Sequence, residues 1–514
     1  MNWKSILGLK VIGMVVTLVL TVTIPVGYVA ATENHFGHFI IDPVKTDAGY
    51  VSGTIIDLSQ ICWVDYVNRL TGIKTCSPIL KGEVGKEVRV YRGIPYAAPP
   101  VGDLRWKPPQ PVTPWEGIRE CTVYPKMAPQ TYPTSFFYGN IQESGISEDI
   151  LYLNVVTPAK RDNERLPVMV WFHGGGLTAG SNSTHNYNTA SLPNHGVVIV
   201  TVQHRLGPIG YMAHPELTTE SPNHASGNYG DLDLIAALYW VKKNIAAFGG
   251  NPHRVTIFGH SGGGSKVNWL LASPLAKGLF HRAICQAGFS TGGTPLATAE
   301  QQGLNLMAKL GVSSLAEMRA KTWQEIITAV NSLPSTSYLT NHTVDGWSLT
   351  DTIANIFREG KNHDVPYIVG NAGGEARPAS MAQLLLTMSG QQRSHIYTYI
   401  YTQVPPNWIP YGQYGWHGSE VSAEFGNENY LPLFIGALVP STLPYDSGVD
   451  DRDFWVSEFM MTMLAKFAAT GNPSVKHMGV YWPAYDSRDQ YLDIGYPPLI
   501  QSGYSTTQAP QPPR

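Results

Sequence analysis

The chain is short of charge. Only 14% of its 514 residues are Asp, Glu, Lys or Arg, and 35 basic side chains stand against 38 acidic ones. A net charge of −3 supplies no basic field, which excludes nucleic acid as a partner. Cysteine is scarce, with four in all, so no dense disulfide framework holds the chain together. A core must do that, and a hydrophobic content of 43% is enough to build one. There is no internal repeat, no block of like charge and, apart from the last residues, no low-complexity tract.

Long apolar runs are also missing, with one exception near the start. Lys4 and Lys10 give a positive opening, and Val11 to Ile24 then runs without a charge. Val29-Ala30-Ala31 offers small residues for cleavage, so residues 1–31 read as a secretory signal peptide. The competing reading is an uncleaved anchor. The run is shorter than the ~20 residues a spanning helix needs, and Pro25 interrupts it. The expected protein is secreted or periplasmic, with no stable membrane insertion once the signal is removed. Residues 32–507 are expected to form a single domain. Gln508-Ala509-Pro510-Gln511-Pro512-Pro513-Arg514 is expected to be a disordered tail. In an exported chain Cys62 and Cys76, in one turn-rich segment, are expected to close a disulfide loop; the alternative is two unrelated thiols. Cys285, in the strand-like Arg282-Ala283-Ile284-Cys285-Gln286, reads as a buried free thiol, and Cys121 has no obvious partner. Asn182-Ser183-Thr184 and Asn341-His342-Thr343 fit the glycosylation pattern.

What is present in quantity is glycine, at functional spacing. Val255-Thr256-Ile257-Phe258 reads as a short buried strand, and Lys266 to Ala272 as a helix. Between them Gly259-His260-Ser261-Gly262-Gly263 fits G-x-S-x-G, the nucleophile elbow of α/β-hydrolases. A side chain at Gly259 or Gly263 would crowd the strand and helix that meet there. Upstream, Pro167-Val168-Met169-Val170-Trp171-Phe172 is fit for a strand buried on both faces. It ends in His173-Gly174-Gly175-Gly176, the H-G-G-G type of loop that supplies oxyanion-hole donors. Val197 to Val202 is another buried strand, and Asp231 to Ala247 an amphipathic helix. Arg92-Gly93-Ile94-Pro95-Tyr96-Ala97-Ala98-Pro99-Pro100 cannot be a helix and reads as a fixed, irregular entry to the core. This alternation predicts an α/β fold with a large, mostly parallel central sheet flanked by helices.

A serine nucleophile of this kind is followed in chain order by a carboxylate and then a histidine. Sixteen histidines leave the base open on spacing alone. Glu375 lies in the loop after the strand Pro366-Tyr367-Ile368-Val369-Gly370, and His417 beyond the strand Ile396 to Tyr401. Both sit where active-site loops belong, although a solvated loop residue remains the alternative for each.

The chain resembles the type-B carboxylesterases, the family that includes the cholinesterases. The matching residues run in order over roughly 85 to 495. They are Gly93-Ile94-Pro95-Tyr96-Ala97, Leu104-Arg105-Trp106, Glu148-Asp149 with Leu151-Tyr152-Leu153-Asn154-Val155, and His173-Gly174-Gly175-Gly176. Gly227-Asn228-Tyr229-Gly230 with Asp233 follows, then Phe248-Gly249-Gly250-Asn251-Pro252, the elbow, and His417-Gly418-Ser419-Glu420. The resemblance implies the α/β-hydrolase fold and carboxylic ester hydrolysis through an acyl-enzyme. It implies Ser261 as nucleophile, Glu375 as acid and His417 as base. Gly175, Gly176 and Gly262 would be the oxyanion donors, and His260, Leu177, Trp416 and Arg377 would surround the substrate. The partner implied is a small-molecule ester, and no metal or organic cofactor is implied. Departures are His260 where the family has glutamate, Gly262 where it has alanine, and Ala376-Arg377 after the acid. The family's early cysteine is replaced near Ala128, and residues 53–86 look like an insertion. The rival readings are a non-catalytic adhesion homologue and an amide or thioester hydrolase on the same three residues.

Overall fold

Leu166–Phe172 is a strand in the computed structural model, and its side chains divide by parity. Val168, Val170 and Phe172 join one core cluster, whereas Met169 and Trp171 join another. A strand with two dry faces sits inside a sheet covered on both sides. The structure describes residues 42–57, 87–131, 145–187, 190–334, 341–426 and 448–506. The expected signal peptide, Cys62, Cys76, the tail and the part of the expected insertion beyond Asp57 lie outside the described residues.

In chain order the strands are β1 (Val44–Lys45), β2 (Tyr50–Ser52), β3 (Thr54–Asp57), β4 (Glu87–Pro95), β5 (Ile118–Glu120), β6 (Tyr152–Thr157), β7 (Leu166–Phe172) and β8 (Val198–Val202). They continue with β9 (Gly250–His260), β10 (Arg282–Gln286), β11 (Thr294–Pro295), β12 (Thr343–Val344), β13 (Tyr367–Ala372), β14 (Ile396–Tyr401), β15 (Gln490–Ile494) and β16 (Leu499–Ser502). Eleven of them make one sheet, in the order β16-β15-β14-β13-β10-β9-β7-β8-β6-β4-β3. The centre, from β15 to β8, is parallel throughout. The edges, β16 on one side and β6, β4 and β3 on the other, are antiparallel.

Parallel pairing puts the carboxyl ends of the central strands on one edge. The registers Phe172 with Gly259, His260 with Gln286, Gln286 with Gly370, and Ala372 with Tyr401 level those ends. Ligands bind at that edge in open α/β sheets. The helices Tyr229–Asn244 and Gly262–Ala272 supply one core cluster, and Asp451–Thr470 the other. Among the described residues no helix is long and apolar enough to cross a membrane.

Three local expectations change. The helix expected over Asp231 to Ala247 starts at Tyr229, ends at Asn244 and continues as a 3-10 turn, Ile245–Phe248. Its first two turns are buried all round, because Asp231 and Asp233 meet partners, His342 for the first and Arg205 for the second, whereas Tyr239, Lys242 and Lys243 keep an exposed stripe in its second half. Arg92 to Pro95, expected to be irregular, completes β4. The pairing with β6 shifts between Tyr91 and Ile94, where Gly93 takes φ +74° and donates its N–H to Asn154 at 2.9 Å. Asn182 is buried, with its amide turned to the Thr201 carbonyl at 3.3 Å, so it is closed to a glycan, whereas Asn341 is exposed. Cys285 is a buried free thiol, as expected, and so is Cys121.

Candidate active site

β9 ends at His260 and the next helix begins at Gly262, so Ser261 alone makes the turn. Its backbone stands at φ 57°, ψ −123°. A non-glycine residue held there costs ~1–3 kcal/mol and persists only when its surroundings over-determine it. Those surroundings are visible. The Ser261 N–H donates to the Gln286 carbonyl at 2.7 Å, and its own carbonyl accepts from the Ser265 N–H at 3.1 Å. The glycines let the helix approach β7: a Cβ on Gly263 would lie 2.0 Å from the Phe172 carbonyl oxygen, and one on Gly259 2.6 Å from the same atom.

The turn brings Ser261 to His417. Nε2 of His417 is 2.8 Å from Ser261 Oγ, and its Nδ1 hydrogen-bonds Glu375 Oε1. Facing a carboxylate, Nδ1 carries the proton, which leaves Nε2 to accept from the serine hydroxyl. Glu375 is oriented in turn: its Oε2 accepts the Ala372 N–H at 2.8 Å and the Asn371 amide at 3.3 Å. Two backbone bonds lash the loops together, Gly374 N–H to the Gly415 carbonyl at 2.6 Å and Gly373 N–H to that of Tyr401 at 2.8 Å. Burial disfavours a charged His417. The hydrogen bond and charge of Glu375, with Glu420 behind, outweigh it and hold the imidazole pKa above its ordinary value.

The loop after β7 closes the other side. Gly175 and Gly176 have φ of 92° and 62°, which leaves their backbone free to turn toward the serine. Gly262 packs against Gly176 so closely that a Cβ there would lie 2.1 Å from the Gly176 carbonyl oxygen. The family's usual alanine does not fit this loop path. Gly174, Gly175, Gly176, His260, Ser261 and His417 line a cavity of about 280 Å³, completed by Trp171, Asn186, Tyr187, Gly418 and Val421.

One functional residue escaped the sequence reading. Lys266 is fully buried, and its Nζ donates to the carbonyls of His173 at 3.0 Å and Gly176 at 3.1 Å. It pins the glycine loop from beneath. Burial pushes its pKa down to about 7, against the pull of Asp231. The neighbouring His173 is taken down to about 3 by burial and by Lys266, and it stacks on His204 at 4.7 Å as a neutral ring. The available signal was a lone lysine within an otherwise uncharged, largely apolar helix.

Of the four expected pocket residues, the structure brings one to the cavity. His260 lies with its ring 4.5 Å from that of His417, and burial holds its pKa far below the ordinary value, so it is neutral. Glu420 stands 3.9 Å behind it, with its carboxyl pushed up to about 8 by burial and then by the charge of Glu375. Leu177, Trp416 and Arg377 are not among the lining residues. Leu177 is buried, Trp416 packs on Trp408 at 5.6 Å, and Arg377 is buried beneath Glu375 with its guanidinium 6.0 Å from the Tyr504 ring. Its guanidinium donates to the Glu375 carbonyl at 3.4 Å and faces the Tyr504 ring, not the cavity. Trp171, Asn186, Tyr187 and Val421, which line the cavity, carried no motif in the sequence.

A parallel-centred α/β sheet with a strained serine, a histidine and a carboxylate at the carboxyl edge defines an α/β-hydrolase. Comparison with known proteins agrees. The carboxylesterase family model matches residues 78–384 and 378–510, and the chain belongs to that family, a family of carboxylic ester hydrolases. The chain is 40% identical over 309 residues to the Fumonisin B1 esterase of Sphingopyxis macrogoltabida, a match that covers 59% of this chain and 56% of that protein. It is 34% identical over 490 residues to Carboxylesterase 1D of Rattus norvegicus, covering 79% of this chain and 85% of the relative. Among solved structures it is similar to a PNB esterase, with a TM-score of 0.72, 26% identity, and coverage of 89% of this chain and 96% of the other.

The Lys266 contacts generate a prediction. Lys266→Met fits the volume but frees the His173 and Gly176 carbonyls, so the glycine loop loses its anchor. Misplacement of donors by about 1 Å costs ~10²-fold in rate. Steady-state kinetics on a p-nitrophenyl ester should show kcat down by that order with KM little changed and the circular dichroism spectrum intact. A wild-type kcat would show that the loop holds its shape unaided.

Proposed function

We propose that this chain is an exported serine esterase that cleaves carboxylic esters through an acyl-enzyme. The observation that carries the reading is the 2.8 Å contact of His417 Nε2 with Ser261 Oγ, backed by Glu375 on the other ring nitrogen. In the first step Ser261 Oγ attacks the ester carbonyl carbon while His417 takes the hydroxyl proton. Glu375 holds the imidazole and stabilises its charged form. The N–H groups of Gly175, Gly176 and Gly262 meet the oxyanion, and each lost donor is worth ~3–4 kcal/mol of barrier. His417 returns its proton to the leaving alcohol, and water then attacks the acyl-serine by the same route. Residues 1–31 direct export, and 32–507 form the catalytic domain. Esters such as those cleaved by the fumonisin and mammalian relatives belong in the first substrate panel.

The triad is tested by two variants. Ser261→Ala should stay folded and lose several powers of ten in kcat. Since His417 works as the neutral base and Glu375 raises its pKa, kcat/KM should fall as the pH drops, with its midpoint above the ordinary imidazole range. Glu375→Gln should lower kcat strongly and move that limb down. Asp364→Asn should do neither, because Asp364 only accepts the N–H groups of Arg393 and Ser394 in a turn, at 3.0 and 2.9 Å. The reverse pattern would mean that Asp364 is the acid.

The charge at the cavity floor sets the second test. His260 is held neutral by burial, and burial pushes the Glu420 carboxyl behind it toward its acid form, so the position where the family has its glutamate carries no negative charge. A unit charge ~4 Å away is worth ~1–4 kcal/mol between bulk water and a near-surface site. Butyrylcholine should therefore be a poorer substrate than 3,3-dimethylbutyl butyrate, its uncharged isostere, and His260→Glu should shift the kcat/KM ratio toward choline. A tenfold wild-type preference for butyrylcholine would refute this.

The exported state makes a third claim, that Cys62 and Cys76 are joined. Closing a loop of about 15 residues is worth ~3 kcal/mol in the chain-entropy model. Non-reducing peptide mapping of the exported protein should recover the linked pair. Two thiols open to alkylation without reductant would rule it out.

A further inference from the structure

A second serine–histidine–aspartate set lies one helical turn beyond Ser261, and the proposed ester hydrolysis makes no use of it. Ser265 Oγ is 2.9 Å from His342 Nε2, and His342 Nδ1 is 2.8 Å from Asp231 Oδ2. Distances of this kind are those of a nucleophile, a base and an orienting acid. Three separate segments supply them: the elbow helix Gly262–Ala272, the residue just ahead of β12, and the first turn of the helix Tyr229–Asn244.

The set is oriented from its closed end. Asp231 is fully buried, and its second oxygen accepts the Tyr211 hydroxyl at 3.2 Å, which fixes the carboxylate. The carboxylate places the proton of His342 on Nδ1, and Nε2 is left to accept the Ser265 hydroxyl. His342 is itself 4% exposed and stands between the rings of Tyr211 and Trp269, with centroids 6.2 and 6.4 Å away. Its angle to Ser265 is therefore set by packing. The other end is half-buried. Every residue of the elbow helix is buried except Ser265. Its position four residues after Ser261 puts it ~5–6 Å away on a helix face.

We propose that Ser265 is a second reactive serine, which takes acyl or phosphyl groups from small electrophiles such as activated esters and organophosphorus fluoridates. With a fluoridate, the bond from Ser265 Oγ to phosphorus forms as the phosphorus–fluorine bond breaks. The hydroxyl proton passes to His342 Nε2 and then to solvent, and fluoride leaves. With an activated ester, the Oγ–carbon bond forms, the bond to the leaving alkoxide breaks, and the same proton reaches that alkoxide through His342. The step is stoichiometric labelling, driven by the base, and it is separate from turnover at Ser261.

The experiment is diisopropyl fluorophosphate treatment of the full chain, followed by peptide mapping that reads the two serines separately. In Ser261→Ala, Ser265 should carry the label. In the double variant Ser261→Ala/His342→Gln, the labelling rate at Ser265 should fall by ~10² or more, the usual contribution of a general base. If the His342 variant does not fold, Asp231→Asn makes the same comparison with a milder change. The idea is overturned if Ser265 stays unmodified in folded Ser261→Ala, or if it is labelled equally fast without His342. The mapping also keeps the two readings apart, because a wild-type protein labelled on Ser265 and not on Ser261 would sink the Ser261 triad and leave this inference standing.

Discussion

The site depends on one strained residue. Ser261, at φ 57° and ψ −123°, ends a strand and starts a helix in a single step. That step lifts its hydroxyl off the sheet edge toward His417, and it works only if the helix lies directly on β7. Gly259 and Gly263 permit the approach, the Gln286 carbonyl anchors the serine N–H, and the level registers of β7, β9, β10 and β13 bring the neighbouring loops to the same height. A Cβ at either glycine would meet the Phe172 carbonyl first and push the helix, and with it the serine, away from the glycine loop.

Around that residue burial does most of the electrostatic work. His173, His204 and His260 are all kept neutral by desolvation, and Glu420 is pushed toward its acid form. The Glu375–His417 pair is thus the charged element set to respond when a proton leaves Ser261. Lys266 sits on the same boundary. With a pKa of about 7 it stands close to its titration point at neutral pH, and its amine donates to two backbone carbonyls. The buried lysine is tolerated because both its acceptors are backbone oxygens that need a donor, and Asp231 favours its charged form.

Much of the fold was legible in the sequence because it rests on local patterns. The apolar run before His173, the run Ile396 to Tyr401 and the glycine elbow each say strand, strand and turn without reference to anything distant. Ser261 and the glycine loop were legible for the same reason. Glu375 and His417 were candidates by loop position, and their meeting is a property of the parallel sheet that aligns β13 with β14. What the sequence could not carry was side-chain direction. Arg377 follows Glu375 closely yet turns beneath it to Tyr504, Asn182 has the glycan pattern yet faces the sheet, and the lysine that holds the glycine loop contacts residues some ninety positions away. Each is decided by which buried acceptor or ring lies within reach, and no spacing rule encodes that.

The central claim is that Ser261 becomes acylated during turnover. Its most direct test is rapid-quench mass spectrometry of the wild-type enzyme mixed with excess p-nitrophenyl butyrate. The account predicts a butyryl group on the peptide that contains Ser261 within the first turnover, in step with a burst of p-nitrophenol close to the enzyme concentration. Product release with no burst, and no acylated Ser261 peptide at any quench time, would contradict it.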